Sequence, residues 1–151
     1  MLKFFTKLDT SVESDLSLTL PYDSRKKARL YTRLDNGLEA GLFLPRGHTL
    51  RGGEQIKAET GEIVTIISAS EEVSTVFSDN RYLLMRACYH LGNRHIPLEI
   101  QPDFIRFQHD HVLNKMLEHL DLQVVHEYAP FEPESGAYAH HHSHSHQHAH
   151  E

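Results

Sequence analysis

The residues of this chain most able to do chemistry are its histidines, 14 in 151 residues, about four times the ordinary share. They fall into three main groups. His95 sits alone between Gly92-Asn93-Arg94 and Ile96-Pro97. His109 and His111 flank Asp110. The sequence then closes on His140, His141 and His142 in succession, followed by His144, His146, His148 and His150 alternating with Ser, Gln or Ala. Neutral imidazole suits Ni2+, Cu2+ and Zn2+ and does not suit Mg2+ or Ca2+. Metal handling is the chemistry this pattern offers. An enzyme is not indicated: there is no nucleophile-plus-base pattern and no His-Glu-x-x-His helix.

Two elements must position His95. The run Leu83, Leu84, Ala87, Cys88 and Leu91 has helical spacing, with Ser78-Asp79-Asn80 as cap residues before it. Gly92-Asn93 is expected to end this helix as a C-terminal cap, and His95 follows. Cys88 shares the apolar face with Leu84 and Leu91, which marks it as a buried, inert thiol. His109 and His111 follow an extended segment, Phe104 to Gln108. At a strand end, residues two apart point to one side, so the pair could supply half of a metal site. Asp110 is also a fair N-cap for a second helix, in which Val112, Leu113, Met116, Leu117 and Leu120 fall at helical spacing.

Completing this half are strands at Glu71 to Phe77, Leu98 to Gln101 and Leu122 to Tyr128. The order β-α-β-β-α-β is the ferredoxin-like split arrangement. The first half reads differently. Leu16, Leu18 and Leu20 alternate with Ser17 and Thr19, the period of a half-buried strand. Asp35-Asn36-Gly37 is a hairpin signal, with strands at Leu30 to Leu34 and Leu38 to Leu44. A further strand spans Ile63 to Ser68. The basic stretch Arg25, Lys26, Lys27, Arg29 and Arg33 reads as a solvated face. The fold class expected is α+β. It comprises a small all-β domain over 1–70, with little room for a helix, and a ferredoxin-like βαββαβ domain over 71–135. A histidine-rich tail over 136–151, with no core to bury, is expected to be disordered.

Formal net charge is −6 with histidine neutral, so general affinity for nucleic acid is not expected. One cysteine allows no intramolecular disulfide. There is no signal-peptide pattern and no run of about 18 apolar residues. A cytoplasmic location is expected. His48, His90, His119 and His126 receive no assignment from sequence.

Three stretches carry a resemblance. His90-Leu91-Gly92-Asn93-Arg94-His95-Ile96-Pro97, Gln108-His109-Asp110-His111-Val112-Leu113, and Leu42-Phe43-Leu44-Pro45-Arg46-Gly47 with Leu50 and Gly53 are similar to the urease accessory protein UreE family of nickel metallochaperones. The resemblance covers nearly the whole chain. It implies a β domain that contacts partners and a ferredoxin-like domain that binds metal and forms a homodimer. It further implies that His95 lies at the two-fold axis, sharing one Ni2+ between copies, and that His109 and His111 are an additional metal-binding pair. Delivery of nickel to apo-urease with other accessory proteins, including a GTPase, follows from the same resemblance. The tail would tune capacity. A passive metal-storage protein is the alternative, which explains the tail but gives His95 no special role.

Overall fold

The computed structural model describes residues 1–136. The tail, with its expected disorder and the positions His140, His141, His142, His144, His146, His148 and His150, lies outside the described residues. Two compact units form, one mainly of Met1–Leu18 and Asp23–Ile66, the other of Thr19–Tyr22 and Ile67–Glu134.

The N-terminal elements are β1 (Leu2–Lys7), β2 (Leu16–Leu20), α1 (Tyr22–Arg25), β3 (Arg29–Arg33), β4 (Glu39–Phe43), β5 (Gln55–Ala58) and β6 (Ile63–Ser68). The six strands make one sheet in the order β2-β6-β5-β1-β4-β3. The β3–β4 hairpin turns at Gly37, whose φ of 93° a side chain would strain. Phe4, Leu42, Ile56 and Val64 are fully buried or nearly so.

Two expectations need correcting in this half. One turn of helix, α1, does occur in the half expected to be all β. Arg25, read as part of a solvated basic face, is completely buried, and its Nη1 donates to the Leu50 carbonyl at 2.9 Å. A buried guanidinium must keep its donors occupied, so Arg25 holds chain to chain. Strand β5 also carried no clear alternating signal in its four residues.

The second half contains β7 (Ser70–Phe77), α2 (Arg81–Gly92), β8 (Glu99–Ile100), β9 (Phe104–Gln108), α3 (His111–Glu118) and β10 (Val125–Pro130). Its sheet runs β10-β7-β9-β8, all pairs antiparallel. This is the βαββαβ order expected, with the first strand of each half at the centre. Leu84, Ala87 and Leu91 recur at i, i+3 and i+7 on α2, and Leu113 and Leu117 at i and i+4 on α3. They pack with Val76, Ile105 and Phe107 of the sheet. Fully burying one such side chain contributes roughly 1.5–3 kcal/mol.

Capping fixes the ends of both helices. The Asn80 side chain accepts from the Leu83 N–H at 3.1 Å. Asp110 Oδ1 accepts from Val112 N at 2.9 Å and Leu113 N at 3.2 Å. Each cap satisfies amides that the helix cannot. The end of α2 differs from expectation. Gly92 remains helical and Asn93 is right-handed. The left-handed residue is His95, at φ 57°.

Candidate metal centre

Beyond Gly92 the chain tightens into successive three-residue turns. Arg94 N donates to Leu91 O at 3.1 Å, and His95 N to Gly92 O at 3.0 Å. His95 then reverses the chain from its left-handed position, a region in which histidine is among the more tolerated non-glycine residues. Its side chain is exposed. The turn therefore presents His95 outward, and Ile96 and Pro97 lead the chain back to the sheet. Those two residues line a cavity of about 260 Å³ together with Gln108, His109, Asp110 and Leu113.

His109 and His111 are placed differently from each other. Strand β9 stops at Gln108, Asp110 caps α3, and His111 is its exposed first residue. They do not share one strand end. His109 instead continues the β7–β9 ladder by one step: Val73 pairs with Gln108, and His109 N donates to Glu72 O at 3.3 Å. On the other side of β7, Ser74 pairs with His126 of β10. Strand side chains alternate between faces, so Glu72, Ser74, His109 and His126 all fall on the helix-covered face. Phe107, opposite Ser74, belongs to the core on that same face.

The result is a compact donor group. One ligand atom from each of Glu72, His109 and His126 lies within 4.8 Å of the others. The two imidazoles stack, with centroids 3.7 Å apart and planes 8° apart. His126 Nε2 lies 2.5 Å from Glu72 Oε2. His109 Nδ1 lies 3.2 Å from Ser74 Oγ, and Ser74 donates to Asn114 Oδ1 at 2.7 Å. A serine hydroxyl has one hydrogen to give. With it committed to Asn114, the imidazole must donate from Nδ1, which leaves the lone pair on Nε2. Ser74 is fully buried, so this orientation is anchored in the core.

His109 is the one histidine of this trio that the sequence singled out. Glu72 and His126 went unassigned, being 54 residues apart and in no motif. The usable signal was topological: pairing the first and last strands of a βαββαβ unit puts His126 beside Ser74. Cys88 is half-buried, and burial pushes its thiol above the ordinary range. That disfavours the thiolate a metal would need. Of the remaining histidines, His119 caps the end of α3 and His48 lines a separate cavity with Lys7, Asp9 and Leu50.

Two imidazoles and a carboxylate gathered at one end of the second sheet are a donor set that could hold a divalent metal ion. Comparison with known proteins gives the family. Residues 6–69 match the model of the UreE urease accessory protein N-terminal domain, and residues 71–151 that of its C-terminal domain. The chain is 51% identical over 140 residues to urease accessory protein UreE of Citrobacter koseri, covering 92% of each. It is 53% identical over 139 residues to that of Pseudomonas putida strain W619, covering 91% of this chain and 86% of the relative. For Alkalilimnicola ehrlichii the figures are 50% over 138 residues, 91% and 85%. The chain belongs to the urease accessory protein UreE family.

Proposed function

We infer that this protein carries nickel as cargo and delivers it for urease maturation, acting as an accessory chaperone and not as an enzyme. The observation that carries this reading is family membership through both halves of the chain, at 50–53% identity across nearly the full length of those relatives. His95 is the residue assigned to the principal nickel site. One imidazole per chain is a poor ligand set, and a two-fold axis doubles it. Two features support that assignment. The His95 side chain is turned out into solvent at a left-handed reversal. The helix leading to it also carries an exposed apolar stripe, Tyr82, Met85 and Tyr89 at i, i+3 and i+7, which suits a surface covered by a second copy.

Nitrogen ligands without thiolates hold an ion well enough to carry and loosely enough to release. Copper is intrinsically favoured over nickel at such donors, so selectivity falls to geometry and to supply. Cu2+ and Zn2+ are ions the same donors accept. The N-terminal six-stranded domain is assigned to contact with the apo-urease complex and the accessory proteins, the GTPase among them. The tail histidines, His140 to His150, serve as a weak reservoir. His109 and His111 are assigned to further nickel contacts beyond the two-fold site.

Among the described residues no helix is long and apolar enough to cross a membrane. The test is calorimetric nickel titration with the molecular mass measured in parallel. The full chain is expected to be a dimer with one tight ion shared by two copies. His95→Gly keeps the left-handed turn and removes the ligand, so the tight class should vanish while the tail class remains. Persistence of the same tightest class in His95→Gly would sink the assignment.

A further inference from the structure

The Glu72–His109–His126 group is separate from the His95 turn, and neither Glu72 nor His126 lies in the motifs that carry the family resemblance. We propose that these three side chains form a second metal site, contained within one protomer, for a divalent cation of the nickel, copper and zinc class. His109 is its fixed ligand and His126 its moving one. The proposal rests on the nickel-handling reading only for the choice of probe ion.

The donor set fits such an ion. Two imidazoles and one carboxylate suit borderline divalent metals and are a poor cage for Mg2+ or Ca2+, which take oxygen ligands. Metal–nitrogen and metal–oxygen bonds of about 2.1 Å place ligand atoms roughly 3–4 Å apart. The three donors already lie within 4.8 Å, so closing the site calls for side-chain rotation rather than movement of the sheet.

The second layer of contacts separates the roles of the two histidines. His109 is pinned through Nδ1 to buried Ser74, which is itself tied to Asn114. Orienting a ligand imidazole through its other nitrogen is how protein sites fix tautomer and direction. Among the described residues His126 has no comparable buried hydrogen-bond anchor: it meets Glu72 and stacks with His109 and Tyr128. Its ring meets Glu72 at the surface, where the two side chains are 48% and 46% exposed. Stacked rings hold their in-plane lone pairs in nearly parallel, separate planes, so both cannot converge on one ion as they stand. His126 is the ring with room to turn. Entry of the ion replaces the hydrogen that bridges His126 Nε2 and Glu72 Oε2. That hydrogen passes to solvent or to Nδ1 of the same ring.

Three protein ligands leave coordination positions open for water or for an incoming imidazole. An ion held by one fixed ligand, one movable ligand and one exposed carboxylate can be handed on by ligand exchange. The cavity beside His109, bordered by Ile96 and Pro97, reaches the residues immediately following His95. The second site is thus a station for cargo within the same unit that presents His95.

The experiment uses the full chain with its seven tail histidines replaced by serine, titrated with nickel(II) chloride, while the histidine ring resonances are followed by NMR. The expected result is a class of one ion per chain that disappears in His126→Asn and weakens about tenfold or more in Glu72→Gln. That class should survive in His95→Gly, which separates its failure from failure of the principal-site assignment. Ser74→Ala should shift the His109 ring nitrogen resonances and weaken the same class by about 10- to 100-fold. Matching thermal melts for His126→Asn and the parent establish that lost binding is not lost folding. Unchanged stoichiometry and affinity in both His126→Asn and Glu72→Gln overturns the proposal. So does loss of the class in His111→Ala with Glu72→Gln unaffected, which would place the ion between His109 and His111.

Discussion

The two faces of the four-stranded sheet handle charge in opposite ways. On one face, Arg106 closes a network. Its Nε donates to Thr75 Oγ1 at 2.9 Å, its Nη1 lies 3.8 Å from Glu99 and donates to the Pro130 carbonyl at 3.1 Å, and its Nη2 lies 3.4 Å from Glu127. Glu99 there is 5% exposed. On the other face, Glu72 meets His126 in solvent, and His109 stacks behind it. Both faces pair a carboxylate with a nitrogen base. Guanidinium carries only donors and stays charged, so it can satisfy carboxylates but never ligate a metal. Imidazole keeps a lone pair. The same strands therefore close a charge network on one side and gather imidazole and carboxylate donors on the other.

Breaking the closed face should cost the most. Arg106→Ala leaves Glu99 buried without its cation and should destabilise the second unit by about 3 kcal/mol, read as a shift in urea unfolding. Nickel stoichiometry measured well below the transition should not change. A parallel loss of nickel would show that the two faces are not independent.

The junction between β9 and α3 comes next. Asp110→Ala removes the N-cap and should cost about 0.5–2 kcal/mol. Asp110→Asn retains an accepting oxygen and should restore nearly all of it. If Asp110→Asn keeps stability yet loses nickel, Asp110 is a ligand as well as a cap.

The open face should tolerate change in the opposite sense. Its exposed pair contributes about 0–1 kcal/mol, so His126→Asn should barely move the unfolding midpoint while removing one class of bound nickel. A large stability loss here would make the pair structural and erase the contrast with Arg106.

The smallest effect concerns Cys88. Burial raises its ionisation range, so alkylation should reach its plateau at higher pH than for a free cysteine. A proton held more tightly in the folded state means that stability falls as pH rises past the ordinary thiol range. Alkylation as fast as that of a free thiol at neutral pH would contradict this burial.

Much of the fold was legible before any coordinates. Periodicity of three to four residues marked α2 and α3, Asn80 and Asp110 marked their starts, alternation marked β2, and the Asn36-Gly37 turn marked the β3–β4 hairpin. These are local signals, because a helix or strand shows its buried face at fixed sequence spacing. Short β5 and the single turn of α1 are too brief to display a period. The burial of Arg25 escaped for another reason: neighbouring exposed lysines give a buried arginine the same sequence appearance as a solvated one.

The sequence by itself determined the element order of the ferredoxin-like half, the isolation of His95 after α2, and the family to which the chain belongs. Each depends on residues close together along the chain. Tertiary structure alone decided that His95 would take the left-handed position, and that His109 would meet Glu72 and His126 rather than stand beside His111 on one strand. Strand register is the physical reason. It converts positions distant in sequence into neighbours on one face, and no spacing within a single segment encodes which distant residue will be opposite.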